Sequence, residues 1–484
     1  MKSPAIFQYG FYLYINMKFY RFRSLDNLLG KYKELENQEI YFASPSEQND
    51  PMEGYHEIYF QGDEIVWTNF FKNYLILLNK VFTDILLREK DEIYQVSENL
   101  GLFYTWDDFP PQLQSHLNNI FDSFLSLDHI QKLICNLANN QRKFSWQDIS
   151  YYLRSIHLTA LFSVNEIYSL IDVPLFKSLP NDLKYPNQLN DEYFSLLDQL
   201  TEGQRPLLFQ SVNLLNEQID LINYLNIKDL TSEKTFLIQE FPYFFQKKLK
   251  QLMHRDWYTA CFMNEESSHS SSVWGSYGSN HTGICLIFKA DAREENYYLS
   301  LNQPISLDSI NGINYEFQSS KYYSIDYTRF PSPLNFFTSL GQLPTPQLVN
   351  NWLRSTDGKL SNLYNSIYSN IESWRDEYHK NFLNNITRKS KDWKYENEYR
   401  LIYSSMLHDC SEKSSRKFKY QFSDLDGLVF GINTPQEKKI EIIEIIQQKC
   451  NEHKRAEFNF YQAYFCHSTQ SIKHMPLSLI KFKF

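Results

Sequence analysis

The chain of 484 residues carries 48 Lys+Arg against 57 Asp+Glu, a net charge of −9, the wrong sign for a surface that neutralises nucleic-acid phosphates along its whole length. Hydrophobic residues at 42% and charged residues at 22% exclude wholesale disorder, a collagen-like chain and a coiled-coil rod. With only 14 glycines, and neither a P-loop nor a Gly-x-Gly-x-x-Gly, the common phosphate-cradling loops are excluded too; the length predicts one large domain with an insertion, or two domains.

The N-terminal stretch is apolar and aromatic, but Gln8, Tyr9, Gly10 and Asn16 interrupt it and no small-residue cleavage site follows. No later run reaches the ~18–20 apolar residues of a membrane span. Six cysteines without a Cys-x-x-Cys pair read as reduced thiols. The expectation is a cytoplasmic protein with no membrane partner.

Short aromatic or β-branched runs closed by turn residues predict strands at 19–24, 39–43 and 55–60, with a helix near 25–36. Residues 63–250 hold only Gly101 and Gly203, and apolar residues recur there at helical spacing, as in Phe71, Tyr74, Leu75, Leu78 and Phe82. This segment predicts an all-helical insertion, broken where proline cannot donate: at 109–111, 174–186 and 203–206. Strands resume at 257–263, 283–289, 312–317, 398–403, 427–430 and 457–463, with helices near 359–384 and 437–454. A serine-rich stretch, 267–272, and a proline-punctuated one, 330–346, read as mobile surface loops. The predicted architecture is α+β, with residues 1–62 and 251–484 as the two parts of a split core around the 63–250 insertion.

If 395–403 is a strand, period-two alternation puts Glu396, Glu398 and Arg400 on one face. Arg21 and Arg23 likewise share a face of the first strand, opposite Tyr20, Phe22 and Ser24. A facing arginine pair and glutamate pair suit a diphosphate and a ribose hydroxyl. Cleaving a nicotinamide–ribose bond asks for a carboxylate against the oxocarbenium-like charge, cations for the diphosphate, and an aromatic ring against nicotinamide. Trp274 and Tyr277, three residues apart, supply rings. Each constellation also has a plain structural reading: a solvated, salt-bridged strand edge for the glutamates, ion-pair partners for the arginines, core packing for Trp274 and Tyr277. Asn49-Asp50-Pro51 reads as an Asx-type turn, Cys261 and Cys285 as inert core thiols, and His281 as an exposed turn residue. With no His-x-x-x-His and no paired cysteines, no metal is expected.

The ordered series Tyr20-Arg21-Phe22-Arg23-Ser24, Asn49-Asp50-Pro51, Ala260-Cys261-Phe262, Trp274-Gly275-Ser276-Tyr277, Trp393 through Arg400 and Val429-Phe430-Gly431 resembles the bacterial domain-of-unknown-function family 2971, over about residues 17–62 and 255–465. The helical stretch lies outside the resemblance. By analogy the family's core is similar to ADP-ribosyltransferase-like folds, built on a mixed or antiparallel sheet, and occurs among toxins and phage-defence proteins. The resemblance implies an NAD-consuming transferase or glycohydrolase with NAD as substrate. Glu398 would be the essential carboxylate, Glu396 the acceptor-directing one and Arg23 a catalytic cation, while Arg21, Tyr20, Trp274, Tyr277 and Arg400 bind NAD. It also implies an unidentified protein or nucleic-acid acceptor, and an insertion that docks a protein partner or regulates. The competing class is a non-catalytic module whose cleft holds a nucleotide, nucleic acid or protein; a Mg²⁺ nuclease using Glu396, Glu398 and Asp50 is a weaker third.

Overall fold

The first predicted strand, β1 (Lys18–Arg23), lies inside a twelve-stranded sheet rather than at its edge. The computed structural model describes residues 17–482 except 51, 89–94, 98, 140–141, 177–194, 198, 202, 227–231, 309–311 and 406–408. The readings made on residues 1–16, on Pro51 and on the 177–186 part of the second helix break lie outside the described residues.

The chain divides into two units, one of residues 1–55, 256–330 and 383–484, the other of residues 56–255 and 331–382. The first holds β1, β2 (Glu39–Tyr41), β5 (Tyr258–Met263), β6 (Ile284–Lys289), β7 (Asp291–Arg293), β8 (Asn296–Asp308), β9 (Gly312–Ser324), β11 (Glu398–Tyr403), β12 (Lys417–Tyr420), β13 (Leu425–Phe430), β14 (Asn459–Cys466) and β15 (Ser471–Pro476). Their order is β15-β14-β13-β6-β1-β5-β11-β9-β8-β12-β2, with β7 paired to β8. Every pairing is antiparallel except β13 with β14, and those two are joined by the helix Gln436–Glu452, the crossover a parallel pair requires. One face of the sheet buries Phe19, Phe262 and Leu428 under Ile442 and Ile446 of that helix. The other buries Tyr20, Phe22 and Val429 under Trp274, from the short helix Ser271–Ser276.

The second unit is mostly helical. Helix Glu64–Leu87 starts where the Asp63 carboxylate accepts the Val66 N–H, and it is apolar almost all round because helices surround it; Phe71, Tyr74, Leu75, Leu78 and Phe82 are all buried. A small sheet of β3 (Ile58–Phe60), β4 (Phe144–Ser145) and β10 (Leu334–Asn335) joins the same core.

Three expectations change. The strand expected in the α+β core at 55–60 forms as β3 in the helical unit. Residues 331–382, expected in the α+β core, also belong to the helical unit, where Phe336, Phe337, Trp352 and Ile367 complete its apolar centre. Neither stretch is a loop throughout: 267–272 forms a 3-10 turn and the start of a helix with Ser267 and Ser268 buried, while the proline-rich stretch keeps loop on either side of β10 and a 3-10 turn that carries two fully buried phenylalanines. Among the described residues no helix is long and apolar enough to cross a membrane.

Candidate functional site

The site grows from an incomplete strand pairing. β1 pairs with β6 along its whole length, from Lys18 with Lys289 to Arg23 with Ile284, but meets β5 only at Tyr20 and Met263. Beyond that point the β1–β5 seam opens into a cleft of about 420 Å³. Tyr20, Arg21, Arg23, Tyr277, Glu396 and Glu398 all line it.

The two charged pairs reach the cleft from opposite faces of the sheet. Register puts Glu398 opposite Met263 and Arg400 opposite Cys261, on the face of Tyr20 and Phe22; alternation puts Arg21 and Arg23 on the other face, with Phe19. The arginine pair therefore does not face the glutamate pair as expected, and the two meet only across the open seam. Arg21 is buried there, its guanidinium donating to Cys261 O at 3.1 Å and Tyr41 O at 2.9 Å and lying over the Phe262 ring. Burial, then repulsion from Arg23, brings its pKa down to about 10. Arg23 is held by both carboxylate oxygens of Glu34.

On the other side the expected strand is shorter. Glu396 ends a 3-10 turn (Lys391–Glu396), Asn397 adopts a left-handed φ of 42°, and the strand begins at Glu398. Asparagine tolerates that conformation, and its amide donates to Ser267 Oγ at 3.3 Å. Ser267 in turn donates to Glu396 O at 2.7 Å, so the serine-rich segment fixes the turn. Both carboxylates end up almost fully buried, Glu396 at 1% exposure and Glu398 at 2%. The solvated edge is thereby overturned, while the ion pairing expected with it is present but buried.

Lys389, which the sequence reading passed over, joins them: its ammonium is 2.7 Å from Glu396 Oε2 and 3.1 Å from Glu398 Oε2, above the Trp393 ring. Arg400 backs Glu398, with Nε 2.7 Å from Oε1 and Nη2 3.2 Å from Oε2, and also grips Glu53 and Ile386 O. The two glutamates titrate in opposite directions. Burial raises Glu398, but Arg400 and Lys389 outweigh it and hold the group at about 2. Burial raises Glu396, and Lys389 with Tyr277 only partly offsets it. Burial opposes the Lys389 charge, yet Glu398 and Glu396 leave its pKa raised. Such divergence between adjacent carboxylates separates an ionised stabiliser from a proton-exchanging group.

Of the expected ligand contacts, two are corrected. Trp274 is fully buried, donates Nε1 to Ser268 O at 2.8 Å and packs edge-on against Phe22, so it is a core residue. Arg400, with no exposed surface, does not line the cleft and acts through Glu398. Tyr277 remains at the cleft, its hydroxyl donating to Glu396. The Asp50 carboxylate accepts the Met52 N–H at 2.9 Å in an Asx turn. Cys285 is buried, Cys261 lines the cleft, and burial pushes both thiols up. His281 is half-buried in its turn rather than exposed. Among the described residues no cluster of three or more His, Cys, Asp or Glu is placed to hold a metal.

Residues 273–401 match the model of a family described as "Protein of unknown function (DUF2971)". The matched stretch holds Tyr277, Lys389, Glu396, Glu398 and Arg400, and excludes β1. No curated protein and no solved structure matches the chain.

Proposed function

We propose that the cleft cleaves the nicotinamide–ribose bond of NAD, as a transferase or glycohydrolase of the ADP-ribosyltransferase kind. The observation that carries this reading is Glu398: a carboxylate held ionised by Lys389 and Arg400 on the wall of an open β-seam. A carboxylate accepts about four hydrogen bonds. Lys389 and Arg400 supply three and the Cys261 thiol a fourth, the weakest donor of the set and the one a ribose hydroxyl would displace.

As the C1′–N bond breaks, its electron pair leaves with nicotinamide, and the fixed Glu398 charge stabilises the oxocarbenium that remains. Water or an acceptor nucleophile then attacks C1′. Glu396, its pKa raised by burial and its carboxylate within reach of the same ammonium, takes the nucleophile's proton. Tyr277 orients Glu396 and offers a ring to the leaving nicotinamide. The protein would act in the cytoplasm, as a toxin or defence effector, with the helical unit recognising an acceptor or regulator.

One observation favours the alternative, a non-catalytic nucleotide, nucleic-acid or protein module. Arg23 is already paired with Glu34 and Arg21 already bonded to two carbonyls, so a diphosphate must share these guanidinium groups with their present partners or displace them. Incubation of the purified protein with NAD, followed by measurement of free nicotinamide in wild type and Glu398→Gln, separates the readings.

A further inference from the structure

The helical unit has a pocket of its own, about 270 Å³, in which chemistry unrelated to the carboxylate cleft is assembled. Helix Ile371–Ile386 projects Trp374, Tyr378 and Phe382 at four-residue intervals into one wall. The Trp374 and Tyr378 rings lie 5.8 Å apart and 23° from parallel. His56 and His254, which also line the pocket, are stacked at 4.9 Å, and His254 lies 5.6 Å from Phe382.

These rings are fixed before any guest arrives. Trp374 Nε1 donates to Thr338 O at 2.8 Å, and the Tyr378 hydroxyl donates to Met253 O while accepting from Gln342 Nε2 at 3.1 Å. Gly341 lies so close that a Cβ there would come within 2.5 Å of the Tyr378 ring. Glu377 and Asn381, one turn apart on the same helix, also line the pocket. Among the described residues neither has a hydrogen-bond or ion-pair partner within the protein, and Asn381 is half-buried.

We propose that this pocket is a second binding site, for an amino-bearing nucleobase of the adenine type presented as a nucleoside. Near-parallel rigid rings suit a flat guest, since base–aromatic stacking requires only a π-face and loses little conformational entropy here. The Asn381 amide offers a donor and an acceptor to a base edge, and the Glu377 carboxylate accepts from an exocyclic amino group. The volume lies just below the range of ligand pockets, about 300–1,000 Å³, and leaves no room for a dinucleotide. Its place gives occupancy a consequence. The chain enters or leaves this unit after residues 55, 255, 330 and 382, and the pocket is lined by His56, His254, Pro333 and Phe382. A guest ties those four chain ends together and raises the melting temperature.

The test is isothermal titration of the full chain with adenosine and with inosine, which replaces the exocyclic amino group by a carbonyl. Saturable adenosine binding is expected, with inosine at least tenfold weaker. Trp374→Ala should weaken adenosine at least tenfold and Glu377→Gln at least fivefold; the latter, at an exposed position, keeps the test valid where the tryptophan variant does not fold. Absence of saturable adenosine binding, equal affinity for inosine, or unchanged affinity in Glu377→Gln would each overturn the proposal.

Discussion

Lys389 Nζ lies 3.1 Å from Glu398 Oε2, with both side chains almost wholly withdrawn from solvent. An ion pair so placed is weak evidence of net stability, because desolvating each charge offsets most of their attraction, but removing one partner strands the other. Lys389→Met should therefore cost about 3–5 kcal/mol, measured by urea unfolding. Loss below 1 kcal/mol would mean that the carboxylates are satisfied without it.

The divergent glutamates predict opposite pH dependences. Glu398 is depressed from 4.5 to about 2, so its contribution to stability is fully present above pH 4.5 and lost as the pH falls toward 2. Glu396 is raised, so the folded state holds its proton more tightly than the unfolded chain does, and its contribution declines as the pH rises from 4.5 through its folded pKa. The stability gap between wild type and Glu398→Gln should narrow on acidification, while that for Glu396→Gln shifts in favour of wild type. Denaturant titrations from pH 3 to 7 check both signs.

Two aromatic residues three positions apart should separate cleanly. Trp274→Ala opens a cavity in the core and should cost about 3–5 kcal/mol. Tyr277→Phe keeps the ring but removes the donor to Glu396, so the fold should hold while the Glu396 pKa moves further up. An upward shift in the pH profile of transfer to an acceptor, with unchanged melting temperature, is the expected signature.

Arg23 decides how a diphosphate is met. Glu34→Gln frees the guanidinium, and under the NAD reading ADP-ribose should bind several-fold more tightly. Unchanged affinity by calorimetry would assign Arg23 to a structural ion pair.

What the sequence disclosed follows the strength of each local signal. Short aromatic or β-branched runs closed by turn residues located β11, β6 and β5 to within a residue or two, since central strands covered on both faces, such as β5 and β6, read as continuous apolar runs. The long β8 escaped because Pro304 interrupts it; the register shift between Pro304 and Ser306 shows that a bulge absorbs the proline. Trp274 was ambiguous in a chain that is 17% aromatic, where ring-to-ring packing and ring-to-ligand packing use the same residues. Lys389 lies in the charged run Lys389-Ser390-Lys391-Asp392, which reads as a solvated loop, and only the fold shows that its first residue points inward to two carboxylates while the others do not. The assignment of 331–382 to the helical unit is likewise long-range, resting on contacts with a helix some 280 residues earlier, such as Asn69 donating to Trp352 O.

The most direct test measures nicotinamide release and unfolding free energy on the same samples of wild type and Glu398→Gln, with NAD supplied and the candidate acceptors absent. Wild type should release nicotinamide, and Glu398→Gln, assayed under conditions where it remains folded, should do so at least about 10²–10³-fold more slowly, as when one electrostatic stabiliser of the transition state is removed. A wild-type protein that releases none, or a folded Glu398→Gln variant that keeps the wild-type rate, would contradict the assignment of Glu398 to NAD cleavage.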